Sequence, residues 1–115
     1  MTIAVFGNTF SPTVLDILNT IFSYFNHTDV QLIVDYRLFA YYQKNTAYPP
    51  YLKHTIDNDD FQADFSLSIG GDGTFLNTAA RIGSKNIPIM GINTGRLGFL
   101  TDVSVDEVEK ALHAI

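Results

Sequence analysis

Cysteine is absent from the 115 residues. Disulfide scaffolds and thiolate zinc sites are therefore excluded. A reducing, cytoplasmic setting is compatible with that composition and is the location expected. Long apolar runs are also missing, and none approaches the ~20 residues of a membrane span. The opening residues, Met1-Thr2-Ile3-Ala4-Val5-Phe6-Gly7, carry neither a basic n-region nor an extended apolar stretch, so a first strand is expected there rather than a signal peptide. Basic residues are scarce, 7 against 12 acidic ones, for a net charge of −5. Bulk binding to nucleic acid or to an anionic membrane is accordingly not expected. An anionic substrate has to be held locally, by backbone amides, a metal ion or a few placed cations. His27, His54 and His113 are scattered without metal-ligand spacing and read as surface or satisfied core residues, so no resident metal site is expected.

Two common nucleotide-binding devices are missing as well. In the pattern G-x-G-x-x-G, Gly71 and Gly73 supply the first two glycines, but Leu76 stands in the third place, and Gly7 has no partner glycines. The P-loop pattern G-x-x-x-x-G-K-[ST] does not occur.

What is present is a 46 % apolar chain of ordinary single-domain length, able to bury a core. Thr2 to Phe6 reads as a strand covered on both faces. Ser11-Pro12 suits an N-cap with proline at N1, and Val14, Leu18, Ile21 and Phe25 recur at helical spacing. Val30 to Val34 reads as a second strand, Tyr36 to Tyr42 as a short helix, and Asn45 to Pro50 as loop. Asp57 to Asp60 reads as a solvated acidic turn. A third strand, Phe65 to Ile69, precedes a helix from Thr74 to about Gly83, and a fourth strand spans Ile87 to Gly91. Ser104 and Glu107 fit a capping box that opens a final helix running to Ile115. Tyr36, Tyr41, Tyr42, Tyr48 and Tyr51 form either an interface or packing beneath a long loop, the second being the ordinary behaviour of tyrosine. Alternating strands and helices predict an α/β domain, a Rossmann-like parallel sheet with flanking helices. Ligands in such sheets bind beyond the carboxyl ends of the strands.

The third strand runs into Gly70-Gly71-Asp72-Gly73-Thr74. A turn made almost wholly of glycine lets a ligand come close to the backbone, and the helix start behind it favours phosphate oxygens. The carboxylate within the turn is electrostatically awkward for a phosphate site. It points to chemistry, either proton acceptance from a hydroxyl or help in holding Mg²⁺. The plain alternative is that Asp72 caps the helix. A second glycine-punctuated segment, Gly91-Ile92-Asn93-Thr94-Gly95-Arg96-Leu97-Gly98-Phe99-Leu100-Thr101-Asp102, follows the fourth strand.

The first motif resembles the signature of a kinase superfamily that includes NAD kinases, diacylglycerol and sphingosine kinases, and 6-phosphofructokinases. The second segment resembles the NAD kinases in particular, and the Glu-Val-Asn-Gly-like continuation usual in lipid kinases is missing. The resemblance covers residues 1–115 as the N-terminal α/β domain of a two-domain NAD kinase. It implies phosphorylation of the adenosine-ribose 2′-hydroxyl of NAD to NADP, with ATP or polyphosphate as donor and Mg²⁺ accompanying it. It also implies Asp72 as the catalytic proton acceptor, Gly73 beside it in the dinucleotide site, Gly70 and Gly71 in the turn where the donor approaches, and Thr74 among the cofactor-binding residues. Phe99 and Leu76 would lie at the adenine pocket, with Asn93 and Arg96 on the same wall. Phe99 as core and Arg96 as a solvated loop cation are the competing readings. Relatives carry a second, mostly β domain with an Asn-Glu or Asn-Asp pair that grips the ribose, and often assemble as homo-oligomers. Nothing in this chain matches that domain, so the chain alone is expected to be inactive. Asn77 stands where many relatives have a basic residue. A lipid or sugar kinase, and a non-catalytic nucleotide-binding module, are the alternative functions.

Overall fold

The computed structural model describes residues 1–46, 52, 54–94 and 105–113. In chain order the elements are β1 (Thr2–Gly7), α1 (Pro12–Phe25), β2 (Gln31–Asp35), α2 (Tyr36–Lys44), β3 (Thr55–Ile56), β4 (Phe65–Gly70), α3 (Asp72–Ile82), β5 (Ile89–Asn93) and α4 (Val105–His113). The strands form one sheet in the order β3-β2-β1-β4-β5, and every neighbouring pair is parallel.

β1 is central, which explains its unbroken apolar run: Ile3, Ala4, Val5 and Phe6 are all buried. Alternate residues feed two cores. Ile3, Val5, Leu67 and Ile69 pack with Val14, Leu18 and Ile21 of α1, Leu38 of α2, and Val108 and Leu112 of α4. Ala4 and Phe6 point the other way and join Ile33, Ile56, Phe61, Ile82 and Ile87. On that second face β4 is polar, with Ser66 and Ser68 buried. Thr78 of α3 meets it there, its Oγ1 hydrogen-bonding Ser68 Oγ at 3.1 Å and the Thr74 carbonyl at 2.9 Å. α3 is thus seated by a polar seam together with Ile82, not by a long apolar stripe.

Several expectations need correction. The sheet has five strands, not four. The added β3 is two residues long, too short to leave a periodic pattern. α3 begins at Asp72, not Thr74, because the extended Gly71 serves as N-cap and its carbonyl already accepts the Phe75 N–H at 3.0 Å. β5 begins at Ile89, since Ile87 belongs to the second core and Pro88 turns its carbonyl to Ser66. β2 runs one residue later than predicted, through Asp35. Ser11 and Pro12 open α1 as expected, although the Ser11 side chain makes no cap bond. The tyrosines divide: Tyr42 is buried against Phe22 and Phe39, while Tyr36 is exposed. Tyr48, Tyr51, Ser104 and Ile115 lie outside the described residues. None of the described helices is long and apolar enough to cross a membrane.

The two chain crossovers that matter here leave β1 and β4 toward opposite faces: α1 lies on the first core and α3 on the second. Between these adjacent strands the connection reverses direction, the place where open α/β sheets form a crevice beyond their carboxyl ends.

Candidate functional site

The β4–α3 turn sits at that reversal. Gly70 is fixed there by its neighbours. It has φ +157°, and a Cβ on it would fall 2.5 Å from Thr74 Oγ1, 2.8 Å from Thr74 Cβ and 3.1 Å from Asn8 Nδ2. No other residue can close the turn without displacing Thr74 or the β1–α1 loop. Gly71 and Gly73 differ sharply from it, because a Cβ on either meets no atom within 4 Å. The fold does not demand glycine at these two positions. The missing side chains leave open space directly against the backbone.

Asp72 is the first residue of α3 and is exposed. The capping alternative is not realised: Gly71 is the N-cap, and no side-chain cap bond forms. Among the described residues the Asp72 carboxylate engages in neither an ion pair nor a hydrogen bond. The amide ends of α3 favour an acidic residue at this position, and the side chain faces solvent.

The second glycine segment lies alongside. Gly70 and Asn93 are register partners at the ends of β4 and β5, and the Thr94 N–H donates to the Gly70 carbonyl at 3.1 Å. The two motifs, separated in sequence, are therefore stitched together by backbone bonds. Gly91 has a packing reason: a Cβ there would stand 3.1 Å from the Phe75 ring, which lies over β5. Leu76, 67 % exposed, sits beside Phe75 on α3. Helical spacing puts Asp72, Phe75 and Leu76 on one side of α3, toward β5. The structure thus brings Gly70, Gly71, Asp72, Gly73, Thr74, Leu76 and Asn93 to one rim. Arg96 and Phe99 lie outside the described residues.

The other side of α3 lines a cleft of about 470 Å³, walled by Thr74, Asn77 and Arg81 across from Asn8, Thr9 and Phe10 of the β1–α1 loop. Sequence reasoning did not single out this loop. Its order comes from Asn8, whose side-chain oxygen accepts the N–H groups of Phe10 at 3.3 Å and Ser11 at 3.1 Å. The loop's closeness to Gly70 comes from the adjacency of β1 and β4 in the sheet, which no local pattern marks. At the cleft floor Arg81 pairs with Asp35 and Asp59 and lies 4.9 Å from the Phe6 ring centroid. Burial alone lowers its pKa, but the hydrogen bonds and charges of Asp35 and Asp59 outweigh that and raise it above the usual arginine value. No sequence signal marks this cluster, since Asp35 and Arg81 are separated by 46 residues. Asp35 is also the N-cap of α2, accepting the Leu38 N–H at 3.4 Å. The acid at the end of β2, which commonly meets a ribose in dinucleotide folds, is here committed to structure. Among the described residues no three His, Asp or Glu side chains converge as a metal site.

A family model for the ATP-NAD kinase N-terminal domain matches residues 12–115. The chain belongs to the ATP-NAD kinase family. It is 38 % identical over 115 residues to an NAD kinase of Bacteroides fragilis, covering all of this chain and 40 % of that protein. Against an NAD kinase of Flavobacterium psychrophilum the identity is 32 %, again with all of this chain and 40 % of the relative covered. Against that of Nitrosospira multiformis it is 35 %, covering 99 % of this chain and 37 % of the relative. The chain therefore spans about two-fifths of the length of these family members. Yeast NADH kinase, solved in complex with NADH, superposes with a TM-score of 0.77 over 98 % of this chain and 37 % of its own, at 19 % identity. That likeness shows the fold, a parallel α/β sheet with flanking helices.

Proposed function

We propose that this domain supplies the catalytic acid of an NAD kinase. In this reading Asp72 accepts the proton of the adenosine-ribose 2′-hydroxyl. The 2′-oxygen bonds to the terminal phosphorus of the donor, ATP or polyphosphate, as that phosphorus's bond to its bridging oxygen breaks, and ADP or the shortened polyphosphate leaves. A ribose hydroxyl is a weak nucleophile at neutral pH, and a placed base contributes about 10²–10⁴-fold. Phosphoryl transfer otherwise depends on positioning and charge neutralisation, so Mg²⁺ enters bound to the donor, as part of the substrate. Gly71 and Gly73 leave the backbone open to the reactants, while Leu76 and Asn93 border the acceptor with Phe99 and Arg96. The remaining family length completes the ribose grip, so the 115-residue chain alone binds weakly and does not turn over. A cytoplasmic homo-oligomer is the setting for the complete protein.

The observation that carries this reading is a solvent-facing carboxylate in a turn whose flanking glycines, Gly71 and Gly73, serve no packing need. It favours an enzyme over a passive nucleotide-binding module, where an unpaired acid beside phosphates only weakens binding. The test is a labelled-ATP screen of the full-length product of the encoding reading frame against NAD, diacylglycerol and fructose 6-phosphate. Label in NADP is expected. Label in another acceptor with NAD left unlabelled assigns a different kinase, and no label anywhere favours the module.

A further inference from the structure

We propose that the buried hydrogen bond between Ser68 and Thr78 is a clamp that holds Asp72 in its working position, with Ser68 and Thr78 as positioning residues; this rests on the kinase reading above. The acid has few other restraints. Gly71 and Gly73 on either side of it bring no side chain to pack, and Asp72 itself is exposed. Of the α3 residues only Thr78 and Ile82 are buried, and both lie in the second half of the helix. Ile82 joins an apolar cluster far from the turn, whereas Thr78 lies within two turns of Asp72.

The direction of the bonds follows from the groups present. Thr78 has one hydroxyl hydrogen, and the Thr74 carbonyl at 2.9 Å can only accept, so the hydrogen goes there. Ser68 then donates to Thr78 Oγ1 at 3.1 Å. The chain from Ser68 through Thr78 to Thr74 thus runs from the strand before the turn to the first turn of the helix after it, joining residues ten apart in sequence. Thr74 in turn stands over Gly70, where a Cβ would fall 2.5 Å from its Oγ1. Ser68 and Thr78 are both buried, so water does not compete for the bond. Ser66 supplies a comparison within the same strand and on the same face. It is equally buried, and its hydroxyl donates to the Pro88 carbonyl at 2.8 Å. That bond ties β4 to the segment before β5 and leaves α3 untouched.

The test uses the full-length protein at saturating MgATP with NAD varied. Ser68→Ala cuts the tie to the strand but leaves the Thr78 hydroxyl its Thr74 acceptor, so no buried donor is stranded. Its kcat is expected to fall about tenfold, the scale of a displacement somewhat below the 1 Å that costs about 10²-fold, with the KM for NAD within about twofold of wild type. Thr78→Val is expected to lose kcat likewise and Thr78→Ser to recover most of it. Ser66→Ala is expected to keep the wild-type kcat. Amide hydrogen exchange supplies a readout besides activity: the Phe75 N–H, bonded to the Gly71 carbonyl at 3.0 Å, is expected to exchange faster in Ser68→Ala and not in Ser66→Ala. A wild-type kcat in Ser68→Ala, or an equal fall in Ser66→Ala, overturns the clamp while NADP synthesis stands. Wild-type protein that makes no NADP overturns the kinase reading itself, and equal Phe75 exchange in the two variants then removes the clamp as well.

Discussion

Three glycines in one turn make different demands, and alanine at each position separates folding from function. At Gly70 the new Cβ falls 2.5 Å and 2.8 Å from two atoms of Thr74, well inside contact distance, on a backbone with φ +157°. Thr74 cannot swing away freely, because it is half-buried and its carbonyl accepts from Thr78 in the seam that seats α3. Overpacking and backbone strain of this kind each cost about 1–3 kcal/mol, so Gly70→Ala is expected to lose about 2–5 kcal/mol, a large share of a small domain's stability. Gly71→Ala and Gly73→Ala meet no atom within 4 Å. The first is expected to stay within about 0.5 kcal/mol of wild type. The second, inside the first turn of α3, is expected to gain up to ~1 kcal/mol from helix propensity. Urea denaturation of the 115-residue chain reads all three. NADP synthesis by the full-length protein is expected to fall at least about tenfold in both Gly71→Ala and Gly73→Ala, since a methyl then stands where a reactant approaches. A destabilised Gly73→Ala, or a Gly70→Ala as stable as wild type, refutes the division of labour between these glycines.

Two further variants probe the frame around the turn. Arg81→Ala strands the buried Asp35 carboxylate and is expected to cost about 2–3 kcal/mol, whereas Asp59→Ala, at a carboxylate 63 % exposed, is expected to cost under about 0.5 kcal/mol; equal losses in urea melts contradict that ranking. Thr78→Val removes the partner of the buried Ser68 hydroxyl and is expected to cost about 1–2 kcal/mol, with Thr78→Ser recovering most of it.

The parts of the fold visible in the sequence were those with strong local signals. β1 announced itself through four consecutive apolar residues, α1 through Ser11-Pro12 and its helical stripe, and the rim through glycines that follow strands. β3 was invisible because two residues carry no period. The start of α3 was misplaced because a glycine serving as N-cap leaves no side-chain signature. In the site, Asp72 and its glycines stood out as a motif after a strand and through the resemblance it carries, yet only coordinates distinguish Gly70, held by packing, from Gly71 and Gly73, which are not. Asn8, Phe10 and Arg81 reached the rim through sheet order and long-range pairing, which no local pattern encodes.

Asp72→Asn tests the chemistry most directly, because the change is nearly isosteric at an exposed helix start. With full-length protein and coupled NADP detection, turnover is expected to fall by about 10²–10⁴-fold, while urea melts and the KM for NAD stay near wild type. Turnover at the wild-type rate in that variant would leave the 2′-hydroxyl proton without an acceptor in this domain and would contradict the role given to Asp72.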